Sequence, residues 1–356
     1  MDVSIHCLFL CSKTNLKIKS KSEVIKSMSF EKFIMEIKKM LKEYLGNDVR
    51  VEDKSVLKNN GVKFTGIVIL KQNQNCVPNI YLNGYFEQYQ RGRGLSDIVC
   101  EIIRYYEEHK IEQRVNIDCF SNFDCVKNKI CYKIVNYEKN KELLKEIPYI
   151  PYMDLAIVFY CVIDNECIGN GSILIRNEHL RKWDVKLKEI QACAFFNTPK
   201  ILKGKITPME DVICELIRKK MILEIESSVQ EQIDSHITIS EEMIEPIIQE
   251  MLGKIYTESK GPKMYVAGNE SKNFGAAVIL YESCLEDFAK KIQSDFYILP
   301  SSVHEVILIP VENEEDEVQK LKDMVYEVNH TELEMEEILS DSIYLYKRSE
   351  SCIIKL

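Results

Sequence analysis

What this 356-residue sequence lacks removes most of the usual assignments. No apolar run approaches the roughly 20 residues that cross a bilayer as a helix. The longest, residues 155–163, is closed at its ends by Asp154 and Asp164. The short apolar stretch at residues 7–11 is followed rather than preceded by lysines and leads to no small-residue cleavage site, so it does not read as a secretory signal. No GxSxG elbow, Walker A loop, dinucleotide fingerprint, HExxH helix or deaminase zinc pattern occurs, so the short motifs with the clearest mechanistic basis are missing. Thirteen cysteines are present, but they are scattered and form no dense disulfide framework. Their only regular spacing, Cys119, Cys125 and Cys131, lacks the CxxC knuckle of structural zinc sites. Reduced thiols, no metal and no cofactor are the expectation.

What is present is ordinary globular composition, with 46% hydrophobic and 29% charged residues, enough to bury a large core. The net charge of −9 is unevenly placed. Residues 1–27 carry five lysines against Asp2 and Glu23, whereas residues 312–341 carry twelve acids against Lys320 and Lys322. The body between them is nearly neutral and offers no broad basic footprint for a phosphate backbone, so no nucleic-acid partner is expected.

Apolar periodicity organises the chain. After a Lys- and Ser-rich stretch without period, read as a disordered tail or a misassigned start at 1–27, the ordered part begins at Met28. Phe30, Phe33, Ile34, Ile37, Met40, Leu41, Tyr44 and Leu45 recur at helical steps between Ser29 and Gly46. Residues 49–57 and 62–70 flank Lys58-Asn59-Asn60-Gly61, a strong hairpin signal. A helix from Leu95 to Tyr106 follows, then strands at 115–119 and 131–135, and long strands at 152–163 and 171–175. Residues 197–207, with Pro199, Gly204 and no apolar period, are the expected boundary. Helical stripes run from Met209 to Met221 and from Met243 to Leu252. From Met264 the order reads strand, loop, strand, helix capped by Ser283 and Glu286, strand, turn, strand, followed by an acidic helix over Val318, Leu321, Met324, Val325 and Val328. The expected fold is α+β, with mixed or antiparallel sheets and packed helices in two modules. These are an N-terminal module at 28–198 and, past a linker at 199–205, a C-terminal module at 206–356 containing a ββαββ unit.

Three stretches, PNIYLNGYFEQYQRGRGL at 78–95, NFGAAVILYESCLEDFAKKIQSDFYILPSSVHEVILIP at 273–310 and EVNHTELEMEEILSDSIYLY at 327–346, resemble an uncharacterised bacterial family of Gram-positive anaerobes, domain of unknown function 5688. The likeness runs through nearly the whole chain from Met28 and implies no activity.

Three clusters invite chemistry. Ser302, His304 and Glu305 supply the ingredients of an activated nucleophile. Against this, Leu299-Pro300-Ser301-Ser302 reads as a type I turn, and a strand after it would turn His304 and Glu305 to opposite faces. A buried, hydrogen-bonded histidine is the default expectation. Arg91 and Arg93, with Gly92 and Gly94, precede the helix at Leu95 and could meet an anion. Tyr81, Tyr85, Phe86 and Tyr89 just upstream have the spacing of a packed helical face as much as of a stacking site. Asn269 and Asn273 bracket a loop whose amides suit specific hydrogen bonds. The expected function is that of a non-enzymatic cytoplasmic binding or regulatory protein with a protein partner and no membrane association, meeting that partner through sheet edges or the acidic helix. The alternative is a hydrolase-like or nucleotide- or phosphate-binding enzyme using Ser302, His304, Arg91 and Arg93.

Overall fold

A computed structural model describes residues 28–46, 48–71, 77–110, 118–165, 169–231, 245–246, 249–250, 253, 263–300, 302–311 and 317–356. The chain opens with helix α1 (Phe30–Leu45), whose first turn is capped by the Ser29 hydroxyl accepting the Lys32 N–H at 3.4 Å. Gly46 ends it at φ 82°, a conformation that favours glycine. Strands β1 (Val49–Leu57) and β2 (Lys63–Lys71) pair antiparallel in full register, and Asn60 and Gly61 take the positive φ of the tight turn. A short β3 (Asn79–Tyr81) completes this sheet, and α2 (Asn83–Gln90) and α3 (Leu95–His109) follow. Phe33, Ile37 and Leu41 of α1 bury against Ile67 and Ile69 of β2 and Ile98 and Ile102 of α3, forming the first core.

The second sheet is built around one long strand. After α4 (Phe123–Val126) come β4 (Ile130–Asn136), α5 (Lys141–Leu144), β5 (Tyr149–Tyr152), β6 (Leu155–Asn165) and β7 (Gly169–Leu174). β6 carries β4 along one side and both β5 and β7 along the other, all antiparallel. Helices α6 (Asn177–Trp183) and α7 (Leu187–Ile201) follow. The third sheet uses β8 (Gly204–Pro208), then, after α8 (Met209–Glu231), β9 (Tyr265–Asn269). Helix α9 (Cys284–Ile292), strands β10 (Phe296–Leu299) and β11 (Val306–Pro310), helix α10 (Glu317–Thr331), and strands β12 (Tyr344–Lys347) and β13 (Cys352–Lys355) complete it. Its order is β13-β12-β10-β11-β9-β8, with every pair antiparallel. The fold is α+β.

Several elements differ from the periodicity reading. Residues 199–205, expected as a linker, hold the last turn of α7 and the start of β8, because the helix accommodates Pro199 and β8 pairs with β9. The largest core also draws on both sides of that stretch, joining Ile130, Tyr132, Ile157 and Phe159 to Ala277, Leu285, Phe296, Val306 and Tyr344. The strand expected at 115–119 lies partly outside the described residues, and Asp118–Ser121 forms a 3-10 turn. The tail at 1–27 and most of the stripe at 243–252 also lie outside them. The strand expected after the Asn269 loop is instead a 3-10 segment, Gly275–Leu280. Phe274 before it adopts φ 53°, which turns the backbone away from an extended path. Ser283 does not cap α9 with its side chain, because it sits at φ 71° and bonds Asp287 through its carbonyl at 2.7 Å. Met324, read as part of the acidic helix's apolar stripe, is exposed, while Leu321 and Val325 are buried. Among the described residues no helix is long and apolar enough to cross a membrane.

Buried polar groups tie the sheets together. Asp154, in the turn between β5 and β6, accepts hydrogen bonds from Ser340 Oγ at 2.6 Å and Tyr344 Oη at 2.9 Å, with Lys355 Nζ at 3.5 Å. Burial opposes ionisation of this carboxyl, but the two hydroxyl bonds and the ammonium outweigh it and hold the pKa below the ordinary aspartate value. The β1–β2 turn is fastened the same way, with Asn60 Nδ2 donating to the carbonyls of Met335 at 2.8 Å and Ile338 at 2.6 Å.

Among the described glycines, Gly275 makes the tightest approach to other backbone atoms. A Cβ there would press into the His304 carbonyl oxygen and stand 2.8 Å from the Asn269 nitrogen, both fixed backbone atoms. Gly275→Ala is therefore expected to cost on the order of 1–3 kcal/mol in urea unfolding. Gly84→Ala, in α2 with nothing within 4 Å of the added methyl, should be neutral or slightly stabilising. Equal effects at the two sites would show that Gly275 is not sterically required.

Candidate functional site

Four of the residues singled out by sequence, Asn269, Asn273, Ser302 and His304, come together. The carbonyl of Glu305 accepts the Ser302 N–H at 3.2 Å, closing a turn between β10 and β11, so His304 lies in that turn and not on a strand face. Ser302 is fully buried, and its Oγ accepts the His304 backbone N–H at 3.0 Å, a turn-stabilising contact. The neighbouring loop is closed by Asn269. Its Nδ2 donates to the Asn273 carbonyl at 2.8 Å, while its Oδ1 accepts from Ser271 Oγ at 2.8 Å and from the Asn273 N–H at 3.2 Å. The two loops meet where His304 stacks on Phe274, with ring centroids 5.9 Å apart, and its Nδ1 accepts the Phe274 N–H at 3.4 Å. On its other side His304 Nε2 stands 3.9 Å from a Glu337 carboxylate oxygen. The Cβ of Glu305 lies beside Gly268. This polar chemistry fastens one loop to the other.

Arg91 and Arg93 are not brought to this place. Arg93 pairs with Glu101 and Gln88, and Arg91 lies 3.6 Å from Glu87 on an exposed helix end. Tyr85, Phe86 and Tyr89 pack against the first core, with Phe86 5.0 Å from Phe30 and 5.3 Å from Phe33 by ring centroid. Burial beside Glu101 pushes the Tyr85 hydroxyl up to about 12. The aromatic spacing upstream of the arginines thus belongs to packing.

One residue that the sequence reading did not single out stands next to the loop junction. Lys133 is central in β4, and its Nζ lies 3.8 Å from the Phe274 ring centroid and 5.9 Å from that of Tyr160. Around it on the same sheet face are Cys131, Val135, Val158 and Tyr160, placed there by the β4–β6 register. Burial, with the charge of Lys58 adding to it, pushes this amine down to about 8. A lone lysine in an apolar strand carries no motif, which is why spacing did not mark it.

A second overlooked feature is α7. Asn197 Nδ2 donates to the carbonyls of Lys127 at 2.8 Å and Ile130 at 3.0 Å, and Thr198 Oγ1 accepts the Tyr132 N–H at 3.0 Å. The helix thereby satisfies groups along the open edge of β4 with polar side chains on its inner face, beside the buried Ile190 and Ala194. Its outer face bears Ala192, Phe195 and Phe196 exposed and Pro199 half-buried, at i, i+3, i+4 and i+7, with Lys188 and Lys200 at its two ends. Phe196 is 65% exposed, whereas Phe195 leans on the Tyr132 ring at 4.7 Å. Apolar residues on both faces conceal the period that marks an amphipathic helix.

Two outcomes follow from the loop junction. His304→Ala should lower stability by about 1–3 kcal/mol, since it removes the ring stacked on Phe274 and the acceptor for its N–H; urea unfolding indistinguishable from wild type would refute a fastening role. Lys133 holds its proton to the ordinary value of 10.5 when unfolded but only to about 8 when folded. The folded state is therefore penalised below about pH 8 and regains stability as pH rises above it. Lys133→Met should be at least as stable as wild type at pH 7, and wild type should gain on it between about pH 8 and 9.5. A constant difference across that window would contradict the assigned environment.

Comparison with curated proteins and with solved structures gives no match. A family model matches residues 30–348, from the first turn of α1 to just past β12, so the first two sheets, all of the third except β13, and the loop junction fall within it. The chain belongs to DUF5688, a family of unknown function.

Proposed function

We propose that this is a bacterial, cytoplasmic, non-enzymatic binding protein whose partner is a protein presenting an acidic segment with apolar anchors, and that the outer face of α7 receives it. The observation that carries this reading is the exposed row Ala192, Phe195 and Phe196, continued by Pro199, held rigid because the opposite face is hydrogen-bonded into the edge of β4. Exposed phenylalanines cost solubility, and a fixed helix presenting them at i+3 and i+4 between Ala192 at i and Pro199 at i+7 has the form of a protein contact. Lys188, Lys200, Lys203 and Lys205 are exposed on or just beyond this helix, so the complementary partner surface is acidic. The loop junction supports a binding protein over a hydrolase, because Ser302 is buried and directed at the His304 backbone N–H.

Affinity capture from a native lysate tests this with the wild type and Phe196→Asp in parallel. Phe196 is mostly exposed, so the variant should melt like wild type. The expected result is a stoichiometric protein retained by wild type, lost with Phe196→Asp, and released by raised salt as the lysines are screened. Equal retention by both proteins would remove α7 as the contact, and a co-purifying small molecule in place of a protein would favour an enzyme.

A further inference from the structure

Lys133 occupies the middle of an otherwise apolar sheet face, and among the described residues no carboxylate oxygen lies within 4 Å of its amine. Such a position is poor for a lysine that serves only as surface charge, because desolvation opposes the ammonium form with nothing ionic to offset it. We propose that Lys133 is the amine nucleophile of a site for a small carbonyl compound carrying a carboxylate, with Lys58 supplying the positive charge that holds the carboxylate.

The geometry supports each part. The free amine is the nucleophilic form, and burial that pushes the group down to about 8 leaves about a tenth of it unprotonated at pH 7, far more than for an ordinary lysine. The rings of Phe274 and Tyr160 form apolar walls beside the nitrogen, at 3.8 Å and 5.9 Å from centroid to Nζ. Phe274 is itself held by the stacked His304 and by the loop that Asn269 closes. Lys58, in the β1–β2 turn, is close enough for its charge to be felt at Lys133, and its Nζ lies 4.8 Å over the Tyr81 ring. In the step itself the amine nitrogen bonds to the carbonyl carbon, and the resulting carbinolamine loses the former carbonyl oxygen as water. The product is an imine, and hydrolysis returns both partners, so no oxidant or reductant is consumed.

The test traps that imine on the full-length protein. Glyoxylate or acetaldehyde is added with cyanoborohydride near pH 7.5, and the rate of modification of every lysine is read by peptide mass spectrometry. Lys133 should react with glyoxylate about tenfold faster than the typical exposed lysine. Lys58→Met should slow glyoxylate at Lys133 several-fold more than acetaldehyde, whose smaller slowing reflects loss of the Lys58 charge that helps keep the amine unprotonated, and Lys58→Arg should restore both rates. An unaltered melting transition in each variant shows that the fold is kept. Lys133 reacting no faster than exposed lysines with either aldehyde overturns the nucleophile, leaving a lysine that merely packs on Phe274. Equal slowing of both aldehydes by Lys58→Met overturns the carboxylate specificity. Neither result depends on α7, so this proposal and the protein-binding reading fail separately.

Discussion

Burial of the 3-10 segment Gly275–Leu280 is the constraint on which the loop junction and much of the central core depend. Gly275, Ala276, Ala277, Val278 and Ile279 are all buried, and the segment belongs to the core that joins the β4–β7 sheet to the six-stranded sheet. It reaches that position only because the backbone of Gly275 passes against the His304 carbonyl and the Asn269 amide, where no side chain fits. A single close approach therefore fixes the loop after β9 against the turn before β11. It also fixes Phe274, the residue that closes over Lys133.

Polar groups inside this architecture act as fasteners. Asp154 receives two hydroxyl bonds, Asn60 caps carbonyls 275 and 278 residues away in sequence, and Asn197 and Thr198 satisfy the edge of β4. Where they are buried, as at Asn197 and Thr198, each satisfies a donor or acceptor that would otherwise cost free energy on desolvation. Such groups are satisfied within the protein, and so the serine, histidine and asparagines that look reactive in sequence are committed to the fold. Lys133 differs, because its amine meets aromatic faces and no carboxylate among the described residues.

α7 shows how a surface can be hidden from pattern reading. A helix docked on a sheet interior turns its apolar stripe inward, but one docked over a strand edge needs polar side chains there to satisfy backbone groups. Asn197 and Thr198 fill that role, which leaves Phe195 and Phe196 on the outside. The inversion makes residues 187–201 look featureless in sequence while placing two phenylalanines on the exposed helix face.

Local signals were enough to determine α1 with its Ser29 cap and Gly46 stop, the Asn60-Gly61 hairpin, α3, the long strands around β6, and the α+β class. Periodicity, caps and positive-φ turns act over a few residues, so sequence alone reads them. The 3-10 path of residues 275–280 was decided elsewhere, by backbone atoms of Asn269 and His304, and the end of α7 and start of β8 by pairing with β9 and the edge of β4. The surroundings of Lys133 come from Val158 and Tyr160 across the β4–β6 ladder and from Phe274, more than a hundred residues away. Only the tertiary structure brings such partners together, because desolvation and close packing depend on distance in space and leave no periodic trace along the chain.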